Sequence, residues 1–496
     1  MNPLREETQS RFTEPCIVVI FGATGDLTSR KLIPALYNIL KAGQLPSQFA
    51  CVGFARRTKT DGEFRKEMHE AVQKFSRTKP IDEHLWKHFE DHLYYHISEF
   101  HDDEGYVKLK QKLEELDHRL GTKGNRIFYF ATPSSYFPLI AEKLKKANLI
   151  YPELDTGPWS RVIIEKPFGR DLSSAEDLQK ELMKHLGENQ IFRIDHWLGK
   201  ETVQNLLVFR FANSIFESLW NNRYIDHIQI TVAEDLGIET RGKFWEETGL
   251  IRDIVQNHVM QLVSLVGMEP PVSLDANAIR DEKVKVLQAI RPIEQKDVVL
   301  AQYTAGLVGG EDVIGYLQEK DVSPTSQVET YAALRLHIDN WRWSGVPFYL
   351  RSGKRLPKRS TEIAITFKDP PGVLFQQGHR KNDPNVFVIQ IQPDEGISLK
   401  INCKVPGPAS PIQPVKMDFK YGSYFGTTPP EAYERLICDA ILGDSTLFAR
   451  QDEVLLSWKL LSPVLKGKPS TYPAGSWGPV EAEKLLEQDG RHWRLI

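Results

Sequence analysis

Residues 16–29, CIVVIFGATGDLTS, place a short run of β-branched and apolar residues directly before a glycine turn. The run from Cys16 to Phe21 has the composition of a buried β-strand. Residues 27–40 follow with apolar side chains at helical spacing, and residues 50–55, ACVGFA, have the pattern of a second strand. A strand, a turn, a helix and a strand in this order predict parallel pairing, as in a Rossmann-like α/β domain.

The glycine turn has the features of a dinucleotide site. Its residues are Gly22, Ala23, Thr24, Gly25, Asp26 and Leu27, and Thr28 and Ser29 follow them. Glycine permits close approach of a pyrophosphate, and the N-terminus of the following helix offers free N–H groups and a positive dipole end. The string departs from G-x-G-x-x-G, so the motif alone leaves an ordinary strand-to-helix turn open as an alternative.

Basic residues after the second strand favour NADP over NAD. An NAD site carries Asp or Glu there to bind the ribose 2′-hydroxyl. This chain instead has Arg56 and Arg57, with Lys31 on the preceding helix. Cations suit a 2′-phosphate, so Arg56 and Lys31 are candidate cofactor contacts. The alternative is a solvated basic pair.

Length and composition limit the classes of protein to which the chain can belong. Its 496 residues exceed what one hydrophobic core usually supports, so two or more domains are expected. The net charge of −3 lacks the basic excess of nucleic-acid-binding proteins. The four cysteines show neither C-x-x-C nor zinc-finger spacing, which favours a reduced, cytoplasmic compartment and no metal site. We see no secretory signal and no apolar run of about 18 residues, and expect no membrane span.

The strand and helix patterns divide the chain near residue 194. Strand-like runs at 126–131 and 161–165 continue the first pattern, and residues 64–120 look helical and charged. Later strand-like runs lack regular intervening helices and occupy residues 225–233, 346–350, 362–367, 386–392 and 397–401.

We therefore expect an NADP-binding domain over residues 1–194. Residues 195–496 should form an α+β domain that binds substrate and oligomerises, with a large, mainly antiparallel sheet. Helices at 249–267 and 430–442 are expected to cover that sheet.

The segment 193–201, RIDHWLGKE, brings a carboxylate, an imidazole and an ammonium close together. His196 and Lys200 are four residues apart, so they share one face if a helix begins near His196. Two cations beside a helix N-terminus form a phosphate site. The plainer alternative is a surface His–Lys pair.

The expected helix at 249–267 carries His258 on an apolar stripe with Ile254, Leu262 and Leu265. A polar stripe lies beside it and contains Asp253, Asn257, Gln261 and Ser264. A histidine on an apolar face is usually a core residue, but the polar stripe could line a pocket. A catalytic histidine needs a carboxylate to orient it. Asp253 lies about 140° round an α-helix from His258, so Asp195 is the better candidate.

Two further basic segments are candidate ligand contacts. Lys166 follows a strand in EKPFG, at the edge where open α/β sheets bind ligands, and the peptide bond before Pro167 could be cis. The cluster RSGKRLPKR, at residues 351–359, could complete a phosphate site through Lys354 and Arg359. It could equally be a solvated loop.

Together these segments resemble the glucose-6-phosphate dehydrogenase family across nearly the whole chain. The matching segments are FGATGDL, GFARR, FATPSSYF, EKPFGRDL, RIDHWLGKE, LVFRFAN, GLIRDIVQNH, VPFYLRSGKRL, EAYERLI and YPAGSWGP. The resemblance implies oxidation of glucose 6-phosphate at C1 by NADP. The products would be 6-phospho-D-glucono-1,5-lactone and NADPH, in the first step of the oxidative pentose phosphate pathway.

The resemblance also implies roles for individual residues. His258 would be the general base, oriented by Asp195. His196 and Lys200 would bind the substrate phosphate, and Lys166 would touch both substrate and cofactor. Further implied substrate contacts are Trp197, Glu234, Asp253, Lys354 and Arg359. Implied cofactor contacts are Gly22 to Ser29, Arg56 and Tyr136.

Three positions depart from the family pattern. Trp197 stands where the family usually has Tyr, and its indole can donate a hydrogen bond but cannot accept one. Some members bind a second, structural NADP through a basic cluster in the C-terminal domain. Gln390 and Ser360 stand where those members have cations, so we expect that site to be absent or weak.

Other functions on a similar fold have to be weighed. An NADP-sensing regulatory protein would be favoured by loss of His258, Asp195 or Lys200, but all three are present. A glucose–fructose-oxidoreductase-like dehydrogenase would lack the RIDH-x-LGKE and QNH pair. A lumenal hexose-6-phosphate dehydrogenase would need a signal peptide. The family forms dimers and tetramers, so we expect a homodimer or homotetramer.

Overall fold

The structure, a computed structural model, describes residues 13–152, 157–370, 383–407, 412–426 and 430–496. The chain divides into two compact units, each with its own sheet. The first unit contains the chain up to Lys200 together with residues 271–281 and 430–455. The second unit contains residues 201–270, 282–429 and 456–496. The predicted division at 194/195 assumed two continuous segments, whereas the first unit also includes two later segments.

The strands, in chain order, are β1 (Cys16–Phe21), β2 (Phe49–Ala55), β3 (Leu93–Ile97), β4 (Arg126–Phe130), β5 (Ser160–Ile164), β6 (Ile191–Ile194), β7 (Ile225–Ala233), β8 (Val298–Thr304), β9 (Gly306–Val308), β10 (Glu311–Val313), β11 (Tyr331–His337), β12 (Pro347–Gly353), β13 (Ser360–Phe367), β14 (Val386–Gln392), β15 (Gly396–Lys404), β16 (Ile412–Lys420), β17 (Phe448–Ala449) and β18 (Ser470–Pro473). The α-helices are α1 (Ile33–Lys41), α2 (Asp61–Phe75), α3 (Glu83–Glu90), α4 (Asp103–Leu120), α5 (Phe137–Lys146), α6 (Leu172–Leu182), α7 (Glu201–Phe211), α8 (Ser214–Leu219), α9 (Gly242–Leu250), α10 (Met260–Gly267), α11 (Ala276–Ala289), α12 (Tyr421–Phe425), α13 (Ala432–Leu442), α14 (Gln451–Leu461) and α15 (Val480–Glu487). Two segments are π-helical, Thr28–Leu32 and Ile251–Val259.

The first unit is built on the predicted parallel sheet. Its strand order is β17-β6-β5-β4-β1-β2-β3, and only β17 pairs antiparallel. Every residue of β1 and β2 is buried, as expected for apolar strands in the middle of an α/β sheet. The strand–turn–helix–strand prediction from residues 16–55 is therefore confirmed, as is the Rossmann-like fold class.

The region 64–120 differs from the prediction of continuous helix. It contains most of α2, the whole of α3 and α4, and the strand β3 between α3 and α4. Four of the five residues of β3 are buried, and the strand pairs in parallel with β2 at the edge of the sheet. The sequence LYYHI is short and lies between charged helices, so its strand character becomes evident only from its pairing with β2.

The second unit contains a nine-stranded sheet in the order β16-β15-β14-β13-β7-β12-β11-β8-β18. Only the β7–β12 and β8–β18 pairs are parallel, so the prediction of a large, mainly antiparallel sheet is confirmed. Four of its strands, β8, β11, β16 and β18, were not predicted. Among the described residues, no helix combines the length and apolar character that crossing a bilayer requires.

The helix expected at 430–442 exists as α13, but it belongs to the first unit and not to the second sheet. Asn38 of α1 donates to Glu434 of α13 at 3.0 Å. Arg77 binds the same carboxylate through two nitrogens at 2.7 and 2.8 Å. These polar contacts with residues far away in sequence decide where α13 packs, and its own amphipathic pattern does not reveal them.

Candidate active site

The glycine turn after β1 is the first part of the site. Gly22 has φ +87°, and a Cβ built on it would stand 2.4 Å from the carbonyl oxygen of Ala131. The N–H groups of Gly22 and Ala23 both donate to the Phe54 carbonyl, at 3.0 and 3.2 Å. Glycine is therefore required here both by conformation and by space. The turn leads directly into the π-helical segment Thr28–Leu32 and α1, as a dinucleotide cradle requires.

Arg56 and Tyr136 lie at the same edge of this sheet as Gly22. Phe21 pairs in register with Phe54 and with Phe130, so the residues that follow these strands emerge together. Arg56 follows β2 and is exposed. Tyr136 is 42% exposed, with its ring 5.2 Å from that of Phe100. The structure thus brings together the main predicted cofactor contacts of the first unit.

Lys31 is the predicted cofactor contact with a competing partner. Its ammonium pairs with the carboxylate of Glu431 at 2.8 Å. The Glu431 carboxylate would compete with a phosphate for the Lys31 ammonium. Arg56 is therefore the stronger candidate for a 2′-phosphate.

Lys166 follows β5 and is half-buried, and the Lys166–Pro167 peptide is cis. The preceding residue, Glu165, accepts hydrogen bonds from the hydroxyls of Tyr129 and Tyr433. Burial raises the pKa of Glu165, while these hydrogen bonds and the charge of Lys166 oppose the rise. The ends of β4 and β5 thus carry a half-buried acid beside the predicted lysine.

Asp195 directly follows β6 and is buried. Its carboxylate accepts from the Trp197 N–H at 3.0 Å, and its carbonyl accepts from the Leu198 N–H at 3.0 Å. These bonds make residues 196–199 a turn, and α7 begins only at Glu201. The helix expected to begin near His196 therefore begins five residues later, because Asp195 satisfies the first N–H groups itself.

Each of the two predicted phosphate-binding cations lies against an aromatic ring. The His196 ring is nearly parallel to that of Tyr433, with centroids 6.3 Å apart. The Lys200 ammonium lies 5.3 Å from the centroid of Trp197, which is buried. Trp197, where the family usually has Tyr, thus supports Lys200 by a cation–π contact.

Sequence reasoning did not assign roles to Tyr433 and Glu165. Tyr433 carries the ring against His196 and a hydroxyl bonded to Glu165. Both residues lie in segments that matched the family, EAYERLI and EKPFG. The match was therefore the only signal that could have singled them out, since Tyr433 is far from His196 in sequence.

His258 lies in the second unit and is 1% exposed, on the π-helical segment Ile251–Val259. Hydrogen bonds in a π-helix span five residues instead of four, so residues five apart lie nearer the same face. Asp253 is five residues before His258 and is half-buried. The predicted angle of about 140° between them assumed an α-helix and is wrong for this segment.

Glu234 and Lys354, also in the second unit, form an ion pair. Lys354 is 3% exposed, and its ammonium lies 5.0 Å from the ring centroid of Trp245. Arg359 is exposed, just before β13. Of the two cations predicted in the cluster 351–359, one is buried and paired, and the other lies at the surface.

Comparison with known sequence families gives two matches. A sequence family described as the NAD binding domain of glucose-6-phosphate dehydrogenase matches residues 19–205, and one described as its C-terminal domain matches residues 207–494. The chain belongs to the glucose-6-phosphate dehydrogenase family. It is accordingly a sugar-phosphate dehydrogenase with a nicotinamide cofactor.

Known glucose-6-phosphate dehydrogenases align with nearly all of the chain. Glucose-6-phosphate 1-dehydrogenase of Chlamydia pneumoniae is 56% identical over 98% of this chain and 97% of its own length. The enzyme of Bacillus subtilis is 45% identical, with coverages of 96% and 98%. A solved structure of glucose-6-phosphate dehydrogenase in complex with glucose 6-phosphate is 38% identical, with a TM-score of 0.90 over 98% of this chain and 100% of its own.

Proposed function

We propose that this chain oxidises D-glucose 6-phosphate at C1 with NADP, yielding 6-phospho-D-glucono-1,5-lactone and NADPH. The observation that supports this most is the full-length similarity to the substrate-bound glucose-6-phosphate dehydrogenase, with a TM-score of 0.90. The reaction would be the first step of the oxidative pentose phosphate pathway. Its substrate carries a dianionic phosphate and a hydroxyl at the reacting carbon, so a cation site and a base are both required.

The choice of NADP over NAD is argued from the end of β2. No carboxylate follows this strand directly, and the exposed Arg56 stands there instead. A guanidinium suits a 2′-phosphate and offers no acceptor to a ribose 2′-hydroxyl. The turn after β1 requires glycine at position 22, because a Cβ there would meet the Ala131 carbonyl. The residues present thus fit an NADP site.

The proton-transfer role falls to His258. We propose that its imidazole accepts the proton of the C1 hydroxyl, while NADP when bound supplies the hydride acceptor. Because the hydride leaves C1 as the hydroxyl proton leaves oxygen, the C1–O bond becomes the lactone carbonyl. Asp195 is proposed to orient His258, on the family resemblance. This pairing stays a prediction.

The remaining residues are proposed to hold the sugar phosphate. His196 and Lys200 would bind the phosphate. The Trp197 ring would support Lys200 by a cation–π contact. Proposed contacts of the sugar are Lys166, Glu234, Asp253, Lys354 and Arg359. Glu234 and Lys354 already form an ion pair, so either can bind a hydroxyl without leaving an isolated charge behind.

We also propose a cytoplasmic homodimer or homotetramer. The oligomer is proposed from the family resemblance, and the cytoplasmic location from the spacing of the four cysteines. Light scattering of the purified protein would test the oligomer, and a monomeric mass at micromolar concentration would contradict it.

Absorbance of the reduced nicotinamide tests the proposed function. The assay compares NADP with NAD, and glucose 6-phosphate with free glucose. Fast reduction with NADP and the phosphorylated sugar alone is the expected result. Binding of NADP without any reduction would instead favour the NADP-sensing regulatory alternative, which nothing in the comparisons supports.

A further inference from the structure

The helix that carries His258 starts at an abrupt bend. Gly249, the residue before Leu250, has φ 65° and ψ 178°, so the helical path of α9 is broken there. The π-helical segment Ile251–Val259 then begins in a new direction. The first N–H groups of a helix have no partner within the helix and need one from elsewhere. The group that accepts hydrogen bonds from these N–H groups therefore fixes the direction in which the segment leaves the bend.

Glu329 supplies that partner, from the stretch of chain just before β11. Its carboxylate accepts from the Ile251 N–H at 2.9 Å, and its backbone carbonyl accepts from the Leu250 N–H at 3.2 Å. Glu329 is 6% exposed. A Cβ on Gly249 would stand 2.7 Å from the same carboxylate oxygen, so the glycine makes room for this contact.

The stretch that carries Glu329 is itself held in place. Gln302 donates to the carbonyls of Ser326 and Val328, both at 2.9 Å. The Ser326 hydroxyl donates to Glu246 of α9 at 2.6 Å, and the Tyr316 hydroxyl binds the same carboxylate. Residues 326–329 are thus bonded to α9 before the bend and to the π-helical segment after it.

A carboxylate at this position has two effects on the segment. It satisfies backbone donors that are buried, and its charge is favourable beside the positive end of a helix. Burial raises the pKa of Glu329, while the backbone N–H groups and the charge of Arg252 oppose the rise. The segment from Ile251 to Val259 has only nine residues, so a shift of its first turn also moves His258.

We propose that Glu329 is a positioning residue for His258, acting through the first turn of the π-helical segment. The inference rests on the proposed function, in which His258 is the base. A displacement of about 1 Å at a reacting group can lower turnover by about a hundredfold. Glu329 need not touch substrate or cofactor for this effect.

Three substitutions test the proposal in the full-length enzyme. Glu329→Gln keeps an oxygen acceptor for the Ile251 N–H, Glu329→Leu removes it, and Gly249→Ala forces a Cβ against the carboxylate. The matched control is Glu362→Leu, which removes another buried carboxylate of the second unit, one that is bound to Arg494. We measure kcat, the KM for NADP, and hydrogen exchange of the amides in residues 250–259.

We expect Glu329→Leu and Gly249→Ala to lower kcat by about tenfold or more beyond the Glu362→Leu control, with the KM for NADP unchanged. Glu329→Gln should stay within about threefold of the wild type, because it keeps the acceptor. Exchange in residues 250–259 should become faster in Glu329→Leu and Gly249→Ala, and stay unchanged in Glu329→Gln and Glu362→Leu. Equal losses in Glu329→Leu and Glu362→Leu, or a Gln variant as impaired as the Leu variant, would overturn the proposal.

Failure of the proposed function would look different. It would appear as an absence of NADP reduction by the wild-type enzyme or, for the base alone, as a wild-type kcat in His258→Asn. In that case the exchange measurement alone decides whether Glu329 holds this helix: faster exchange in Glu329→Leu supports it, and unchanged exchange overturns it. Glu329→Gln and Gly249→Ala keep the test valid if the Leu variant does not fold.

Discussion

The contacts of Lys200 bear most directly on phosphate binding. Its ammonium lies 5.3 Å from the Trp197 ring centroid, and the ring limits the directions the side chain can take. A charged hydrogen bond contributes roughly 1.5–3 kcal/mol. Lys200→Ala should therefore raise the KM for glucose 6-phosphate by about tenfold to a hundredfold, with the Kd for NADP unchanged.

The control for this measurement is Lys184→Ala. Lys184 lies in the same unit, is 51% exposed and pairs with Glu181 at 2.6 Å. Its removal should leave both constants at their wild-type values. An unchanged KM in Lys200→Ala would exclude this residue from the phosphate site.

Arg56 decides the choice of cofactor in the proposed function. Arg56→Ala should raise the KM for NADP by about tenfold or more and leave the KM for NAD unchanged, because only NADP carries the 2′-phosphate. Steady-state kinetics with both cofactors measure this. Lys59→Ala is the control, since Lys59 lies nearby and is paired with Glu67. Equal increases for NADP and NAD would contradict the assignment.

At the scale of residues, the sequence supplied candidates whose roles stay predictions. Arg56, Asp195 and Lys354 could be chosen as charged residues near a strand end or in a basic cluster, and the family resemblance implied their roles. The ring of Tyr433 against His196 could not be derived, because two residues that far apart in sequence meet only through the fold. The exposure of Arg359 and the burial of Lys354 could not be predicted either, because both belong to one basic cluster in the sequence.

Among the elements, the glycine turn after β1 has the strictest requirement. Gly22→Ala would place a Cβ 2.4 Å from the Ala131 carbonyl at φ +87°. We expect it to lower the free energy of unfolding by about 2 kcal/mol or more and to abolish NADP binding, as measured by urea unfolding and titration.

Gly43→Ala separates the backbone strain of a positive φ from steric crowding of the new Cβ. Gly43 also has positive φ, +68°, but no atom lies within 4 Å of its Cβ position. This variant should lose only about 1 kcal/mol and bind NADP normally. Equal losses of unfolding free energy and of NADP binding in the two variants would show that steric crowding at Gly22 has no effect of its own.

The two π-helical segments show what the sequence could not predict about the helices. Thr28–Leu32 follows the cofactor turn, and Ile251–Val259 carries His258. Apolar spacing indicated helix correctly in both places, but spacing cannot distinguish hydrogen bonds over four residues from bonds over five. Short π-helical turns are often found at functional sites, and both segments lie at proposed sites of this chain.

At the scale of the whole molecule, the first unit includes segments that the sequence order hides. The strand β17 and helix α13 join the first unit although eight of the nine strands of the second sheet precede them in the chain. Local patterns assign an element to helix or strand, but only long-range contacts such as Asn38 to Glu434 assign it to a unit. The fold class was therefore predictable from patterns, and the chain's return to the first unit was not.

Long-range pairs also set how stability depends on pH. Arg491 binds both oxygens of Asp226 at 2.8 Å, and His227 contacts the same carboxylate at 2.6 Å. Burial alone would raise the pKa of Asp226, but these hydrogen bonds hold it well below its usual range. Such a carboxylate stabilises the folded state above its unfolded pKa, and this stabilisation is lost as pH falls through the folded pKa.

Asp226→Asn should therefore lower the free energy of unfolding by about 1 kcal/mol or more at pH 7, and by progressively less below about pH 4. Urea unfolding at several pH values measures the difference. Asp103→Asn is the exposed comparison, since Lys143 and Lys146 lower the pKa of Asp103 to about 2. Its effect should vanish in high salt, whereas a salt-sensitive Asp226 effect of similar size would contradict the account.

The turnover of His258→Asn tests the central claim most directly, with glucose 6-phosphate and NADP as substrates and His337→Asn as the control in the same unit. We predict a kcat lower by about 10²–10⁴-fold, with the KM for glucose 6-phosphate and the Kd for NADP close to wild type. The control should keep its kcat, since His337 lies on β11 and has no assigned role. A kcat near wild type in His258→Asn would contradict the assignment of the base.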